Sequence, residues 1–364
     1  MDWDSFRGQY AIGRISQGVA KPGLAIAVVN QDGIKEKAKI EKVFTSLGLK
    51  RVESEKAFSG DIVALTGVKN AGIGDTITDL ENPVALPAIK IEEPTLKIAV
   101  SANTSPFAGK EGQFVTSRQI LGRLNRELLT NVSLKMEEQN GGIILSGRGE
   151  LHLSVLIETL RREGYELQVG KPQVITKVID GELSEPIEEL TIDVDTSSVG
   201  VANAEVGRRH GILIHQDEAN DTTTRLVFEI STRGLLGLRN QLLTISRGTA
   251  IMNSLFLRYE KLGTAIPRLR NGVLIASEAG KAVTYGLDIA QGRGTTFILP
   301  QTEVYAGMII GLNSREEDIE INVTKEKKQT NVRASNSDFA TILTPATILS
   351  LEQSLDFLED DELL

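Results

Sequence analysis

One order of elements occurs twice in this chain, and it restricts the fold more than any other feature. Residues 96–102 read as a strand and 117–129 as a helix with Ile120, Leu121, Leu124 and Leu128 on one face. A hairpin is expected over 132–138 and 141–146, across Gln139-Asn140-Gly141. A second helix is expected over 150–163, where Leu153, Leu156, Ile157 and Leu160 follow helical spacing and Gly164 stands at the C-terminal cap. Residues 165–169 close the set. The order βαββαβ is that of a split-βαβ, ferredoxin-like unit. It returns as strand 187–194, helix 199–208, strands 212–215 and 225–231, helix 235–245 and strand 250–259. A local echo ties the copies together. Ser146-Gly147-Arg148-Gly149-Glu150-Leu151-His152-Leu153 and Ser231-Thr232-Arg233-Gly234-Leu235-Leu236-Gly237-Leu238 share S-x-R-G-x-L-x-L. In both, a strand ends, Arg-Gly turns the chain and a helix begins.

The flanks differ. Residues 1–93 read as short strands (10–15, 24–29, 38–43, 62–66) separated by Gly, Pro and Asp turns, the pattern of a small β-barrel. Pro83, Pro87 and Pro94 mark a linker or closing segment. Residues 263–364 show further β runs at 272–276, 282–287, 296–299 and 308–312, then a helix at 348–358. The sequence stops shortly after the acidic run Glu359-Asp360-Asp361-Glu362, which reads as part of a longer chain. At 364 residues, two to four domains are expected.

Composition narrows the chemistry. With no Cys and only three His (His152, His210, His215), thiolate nucleophiles and zinc–thiolate sites are excluded, and no HExxH spacing exists. Forty Lys and Arg against 49 Asp and Glu give a net charge of −9, which excludes a general polycation but not local basic patches. The opening residues carry no signal-peptide pattern, and no apolar run is long enough to span a bilayer, so no membrane partner is expected. A phosphate-cradling loop needs GxxxxGK followed by Ser or Thr. Gly109-Lys110, Gly170-Lys171 and Gly280-Lys281 all lack it, and neither NKxD nor GxGxxG occurs. The chain is expected to hold no nucleotide, metal or catalytic site. His152, beside the Leu153 face, reads as a packed helix-flank residue.

The cationic feature is 325–333. Lys325, Lys327, Lys328 and Arg333 stand against Glu326, with Thr330, Asn331 and Ser335 as hydrogen-bonding neighbours, a set suited to phosphate oxygens. Taken alone, the run reads more readily as a solvated loop. Smaller basic points are Arg268 and Arg270, and the paired Arg148 and Arg233 near helix N-termini, where the dipole favours anions. Sixteen aromatics argue against a base-stacking platform, since Trp, Tyr and Phe number one, five and ten.

These motifs together resemble the BipA/TypA family of ribosome-associated translational GTPases, without its N-terminal GTPase domain. The residues that carry the resemblance are Ala102–Phe107 with Gly109–Gly112, Phe114–Leu121, Ser146–Glu158, Ser231–Leu238, Asn271–Ile275, Glu303–Tyr305, Lys327–Ser335 and Leu358–Leu363. The resemblance implies a multidomain α+β protein. A translation-factor β-barrel would occupy 1–93 and ferredoxin-like domains 95–172 and 178–262. A β-rich family-specific C-terminal domain would follow at 263–364. It implies a cytoplasmic monomer acting in translation or ribosome assembly under stress, whose partners are ribosomal RNA, A-site tRNA and ribosomal proteins. RNA contacts would fall on Lys325, Lys327, Lys328, Thr330, Asn331, Arg333, Ser335, Arg268, Arg270, Arg148 and Arg233. GTP and magnesium would belong to the full-length family rather than to this chain, from which no activity alone is expected. The alternative is a protein-interaction scaffold without direct RNA contact.

Overall fold

The computed structural model describes residues 1–4, 8–30, 33–48, 50–69, 71–87, 93–139, 141–218, 220, 222–267, 270–326 and 342–364. At the N-terminus, Asp2–Asp4, Gly8–Arg14, Ile62–Thr66, Lys42–Leu47 and Lys50–Ser54 form an antiparallel sheet in that spatial order. Thr76–Asp79, Ala25–Asn30 and Gly33–Lys39 form a second sheet. Ile26 and Val28 of the smaller sheet share one buried cluster with Val43, Val63 and Leu65 of the larger. The expected barrel is thus two open sheets facing one core, not hydrogen-bonded into a closed cylinder among the described residues. The run 38–43 is not one strand. It divides between Gly33–Lys39 and Lys42–Leu47, because buried Ile40 turns the chain from one sheet to the other.

Both ferredoxin-like units are present with the same topology. The first orders its strands Lys135–Gln139, Gly142–Gly147, Leu96–Ala102, Leu167–Val169, all antiparallel. Its helices Ser117–Glu127 and Glu150–Arg162 lay Ile120, Leu124, Leu153, Leu156 and Leu160 on Ile98, Val100 and Leu145. Thr116 and Gln119 make a capping box that fixes where the first helix starts. In the second unit the spatial order is Ile251–Lys261, Glu182–Asp195, Thr223–Ser231, Ile212–Glu218. Leu190, Ile192, Leu226, Phe228 and Ile230 face Ala202 and Val206 of helix Val199–Arg208, and Leu238 and Leu242. The helix expected over 235–245 is broken into Thr232–Leu235 and Leu238–Ile245. Gly237 makes the break at φ +67°, a left-handed conformation that costs glycine least.

The C-terminal region holds a four-stranded sheet, Gly294–Thr296, Ile309–Asn313, Val273–Ala276 and Ile319–Ile321, the last pair parallel. The strand expected at 282–287 is instead the start of helix Thr284–Gln291. Its residues are β-prone, but Gly286, Leu287 and Ala290 fall on one helical face and are buried, so packing overrides propensity. Helix Leu351–Phe357, begun by a Ser350/Gln353 capping box, meets this region through Phe357, edge-on to Phe297 at 5.2 Å, and packs its other residues elsewhere. Leu355 and Leu358 enter the core of the first ferredoxin-like unit. Beyond it, Leu364 exchanges two 2.9 Å backbone hydrogen bonds with Val169, and Leu363 bridges Gly170 antiparallel. The far end of the chain therefore extends a sheet begun at Leu96.

Candidate nucleic-acid interface

Strand Ile319–Ile321 delivers the chain to the basic segment. Val323 is buried, and its carbonyl accepts the backbone N–H of Val283 at 2.9 Å. The Asn322 side chain accepts the N–H and hydroxyl of Thr324, tightening the exit. Lys325 follows, exposed. Lys327, Lys328, Thr330, Asn331, Arg333 and Ser335 lie outside the described residues. On the return side, Thr344 donates its N–H to Gln291 Oε1 at 2.9 Å, and its carbonyl accepts Gln291 Nε2 at 2.7 Å. Val283 caps helix Thr284–Gln291 and Gln291 ends it. Both ends of the segment are therefore fastened to one short helix, at anchors about 12 Å apart along its axis.

The other described basic candidates, Arg270, Arg148 and Arg233, each have partners of their own. Arg268 lies outside the described residues. Arg270 turns inward: it pairs with Glu362, approaches Glu359 at 3.7 Å and stacks 4.4 Å from the Phe357 ring centre. Only 11% of its side chain is exposed. The C-terminal acidic run is thus held as an internal partner, with Lys171 on Glu359 at 2.7 Å. Arg270→Gln is expected to loosen the last residues by about 2 kcal/mol, read as faster amide exchange over residues 358–364 with little change elsewhere.

The two arginines of the repeated motif diverge. Arg233 makes a two-pronged pair with Glu185 at 2.5 and 2.7 Å and reaches the carbonyls of Gly263 and Thr264. Arg148 is exposed in the turn ahead of helix Glu150–Arg162, with its carbonyl accepting the Thr95 hydroxyl and its N–H donated to His152 Nδ1. The other nitrogen of His152 donates to Asn131 Oδ1 at 3.1 Å. Burial first, and then the Arg148 charge, hold the imidazole below its ordinary range, so it stays neutral and pins the turn.

Two features escaped the sequence reading. Loop 103–112 is clasped by the Glu166 carboxylate, which accepts the N–H groups of Gly109, Glu111 and Gly112 and the Asn103 side chain. Those bonds hold the carboxyl below the usual range. The clasped loop touches the C-terminal region, Phe107 edge-on to Tyr305 at 5.1 Å and Lys110 on Glu303 at 3.0 Å. The second feature is a cavity of about 330 Å³ between the ferredoxin-like units and the C-terminal helix, lined in part by Arg148, Glu150, Glu188, Arg239 and Asp356. No sequence spacing signals it, since its walls come from distant segments. Among the described residues no three His, Asp or Glu side chains gather to hold a metal ion, and no helix is long and apolar enough to cross a membrane.

Two facing N-terminal sheets followed by paired ferredoxin-like units define a relative of the translation elongation factors. Residues 8–78 match the elongation factor Tu domain 2 family and 182–269 the elongation factor G C-terminus family. Residues 271–364 match the TypA/BipA C-terminal domain family. The chain belongs to the BipA/TypA family. It is 45% identical over its whole length to a protein of Salmonella typhimurium named "Large ribosomal subunit assembly factor BipA", of which it covers 60%. Proteins of the same name from Synechocystis and Bacillus subtilis are 45% and 42% identical, again over the whole of this chain, which covers 61% and 60% of them. The chain thus spans about three-fifths of the length of the curated relatives it matches.

Proposed function

We propose that this chain is the ribosome-binding portion of a BipA-like translational GTPase that acts in the cytoplasm, as a monomer, in large-subunit assembly or in translation under stress. The barrel-like and ferredoxin-like units act as a spacer. The segment from Lys325 to Ser335 contacts phosphates of ribosomal RNA and A-site tRNA through Lys325, Lys327, Lys328 and Arg333, aided by Thr330, Asn331 and Ser335. GTP and magnesium are held by a part of the full-length protein outside these residues, so this chain alone turns nothing over.

The observation that carries the reading is the mounting of the basic segment. Exposed Lys325 leaves a buried anchor, Val323, and the return at Thr344 is pinned to the helix that also holds Val323. Anchoring a cationic segment at both ends reduces the entropy lost when it meets a fixed surface. The naming of the relatives as large-subunit assembly factors supports the ribosome as that surface.

The test is co-sedimentation with ribosomes across a salt series. With about four phosphate contacts, log K is expected to fall against log salt with a slope of roughly −3 to −4. Lys327→Glu with Lys328→Glu should reduce that slope by about 2 and binding at moderate salt by at least about a hundredfold. A protein-interaction scaffold predicts a shallow slope and little effect of the double reversal.

A further inference from the structure

Three stretches that are far apart in the chain meet on the single turn from Gly237 to Asn240. Glu150 is the first residue of helix Glu150–Arg162, and its Oε1 accepts the Gly237 N–H at 3.0 Å. Asp356, from helix Leu351–Phe357, accepts the Asn240 side-chain amide. At Gly237 an added Cβ would lie 3.4 Å from the Asp356 Cβ, so the C-terminal helix sits directly on this turn. Both carboxyl groups line the same cavity between the units. One comes from the first ferredoxin-like unit, the other from the C-terminal helix, and the turn belongs to the second unit.

Two carboxylates cannot both stay ionised in such a place unless cations or donors offset them. The charged groups around them are few. Arg209 lies behind the turn, buried, and is fastened to Glu205 and to the carbonyls of Gly234 and Leu236. It offsets both carboxyls from a distance, and Arg239 does the same for Glu150. Glu352, one turn before Asp356, adds negative charge. From the sheet side, Glu188 is occupied by the Thr232 hydroxyl at 2.6 Å. Arg148 and His152 complete the cavity wall on the first unit. Each acid has one neutral donor, and neither has a guanidinium fork.

We propose that Glu150 stays protonated beside Asp356 while the joint is closed, and that this proton is the latch that holds the first ferredoxin-like unit and the C-terminal helix onto the second unit. Burial first, and then the Asp356 charge, push the Glu150 carboxyl up to about 8, and burial also raises that of Asp356. Both acids are half-buried in the closed joint; when it opens they become fully hydrated and return toward the ordinary carboxylate range. The closed joint therefore binds the proton more tightly than the open one. It is tightest on the acid side, and it weakens as pH rises from the ordinary glutamate range toward 8, flattening above that.

The experiment is amide exchange by mass spectrometry on the full 364-residue chain, following peptides that cover 237–240 and 351–364. Rates are divided by the intrinsic pH dependence of exchange. In the wild type the opening constant is expected to rise up to about tenfold per pH unit between pH 6 and 8. Glu150→Gln keeps the acceptor for Gly237 and cannot ionise, so the same peptides should stay protected and lose most of that slope. Asp356→Asn should also flatten the profile. Parallel pH profiles for wild type and both variants would overturn the proposal. So would Glu150→Gln opening the joint equally at every pH, since that is the behaviour of an ionised carboxylate held by Arg209.

Discussion

Arg233→Met should destabilise the second ferredoxin-like unit by about 3 kcal/mol or more. Glu185, its partner, is 2% exposed and also accepts the Gly263 N–H at 2.9 Å. Removing the guanidinium strands a carboxylate in a place it cannot leave, and the carbonyls of Gly263 and Thr264 lose their donor as well. A residue that only touched phosphate would leave unfolding unchanged. Urea titration followed by circular dichroism checks this, with a fall in midpoint and no change in slope expected. Glu185→Gln placed on top of Arg233→Met should recover part of the loss, because the stranded charge is then gone. Full stability in Arg233→Met would show that the pair contributes nothing and return Arg233 to the surface candidates.

The second large effect is expected at Gly286. A Cβ there would fall 2.4 to 2.6 Å from the backbone O, C and Cα of Val323. Backbone in that position cannot swing aside as a side chain can, and Val323 is tied by its carbonyl to Val283. Gly286→Ala should therefore cost about 3 kcal/mol, or push the 322–325 stretch off the helix. The two results are separable. The first lowers the thermal midpoint. The second keeps it near wild type, raises exchange over 320–326 and weakens the proposed ribosome contact of Lys325. An unchanged midpoint with unchanged exchange would mean that helix and strand are not in the contact described.

Much of this architecture is legible in the residues. Strands 96–102 and 62–66 and helix 199–208 fall where their periodicity puts them. They are local and punctuated by caps or turns. The misreadings have a common cause in long-range contact. Residues 282–287 are β-prone in isolation and helical because Gly286 must seat against Val323. Helix 235–245 breaks at Gly237 because Glu150 and Asp356 both press on that turn. The acidic run 359–362 carries no local signal of an internal partner, yet Arg270 and Lys171 claim its carboxylates. Arg148 and Arg233 look equivalent in S-x-R-G-x-L-x-L, but Arg233 turns onto the buried acid Glu185, which is not near it in sequence, while Arg148 stands exposed in its turn. Motif identity preserves the turn and leaves the direction of the side chain to tertiary contacts.

The return of the chain to the first ferredoxin-like unit has a consequence for how the molecule is made. Lys171 and Glu359 are 188 residues apart in sequence, and the same distant stretch supplies Leu355 and Leu358 to the core and Leu364 to the sheet edge. Contacts of that span close late and slow folding. During synthesis, the unit begun at Leu96 emerges with part of its core and one sheet edge uncovered, and it stays so until the second unit and the C-terminal region have followed. Truncation ahead of Leu351 would leave that earlier unit unfinished, exposing an apolar face and an unpaired strand of the kind that drives aggregation.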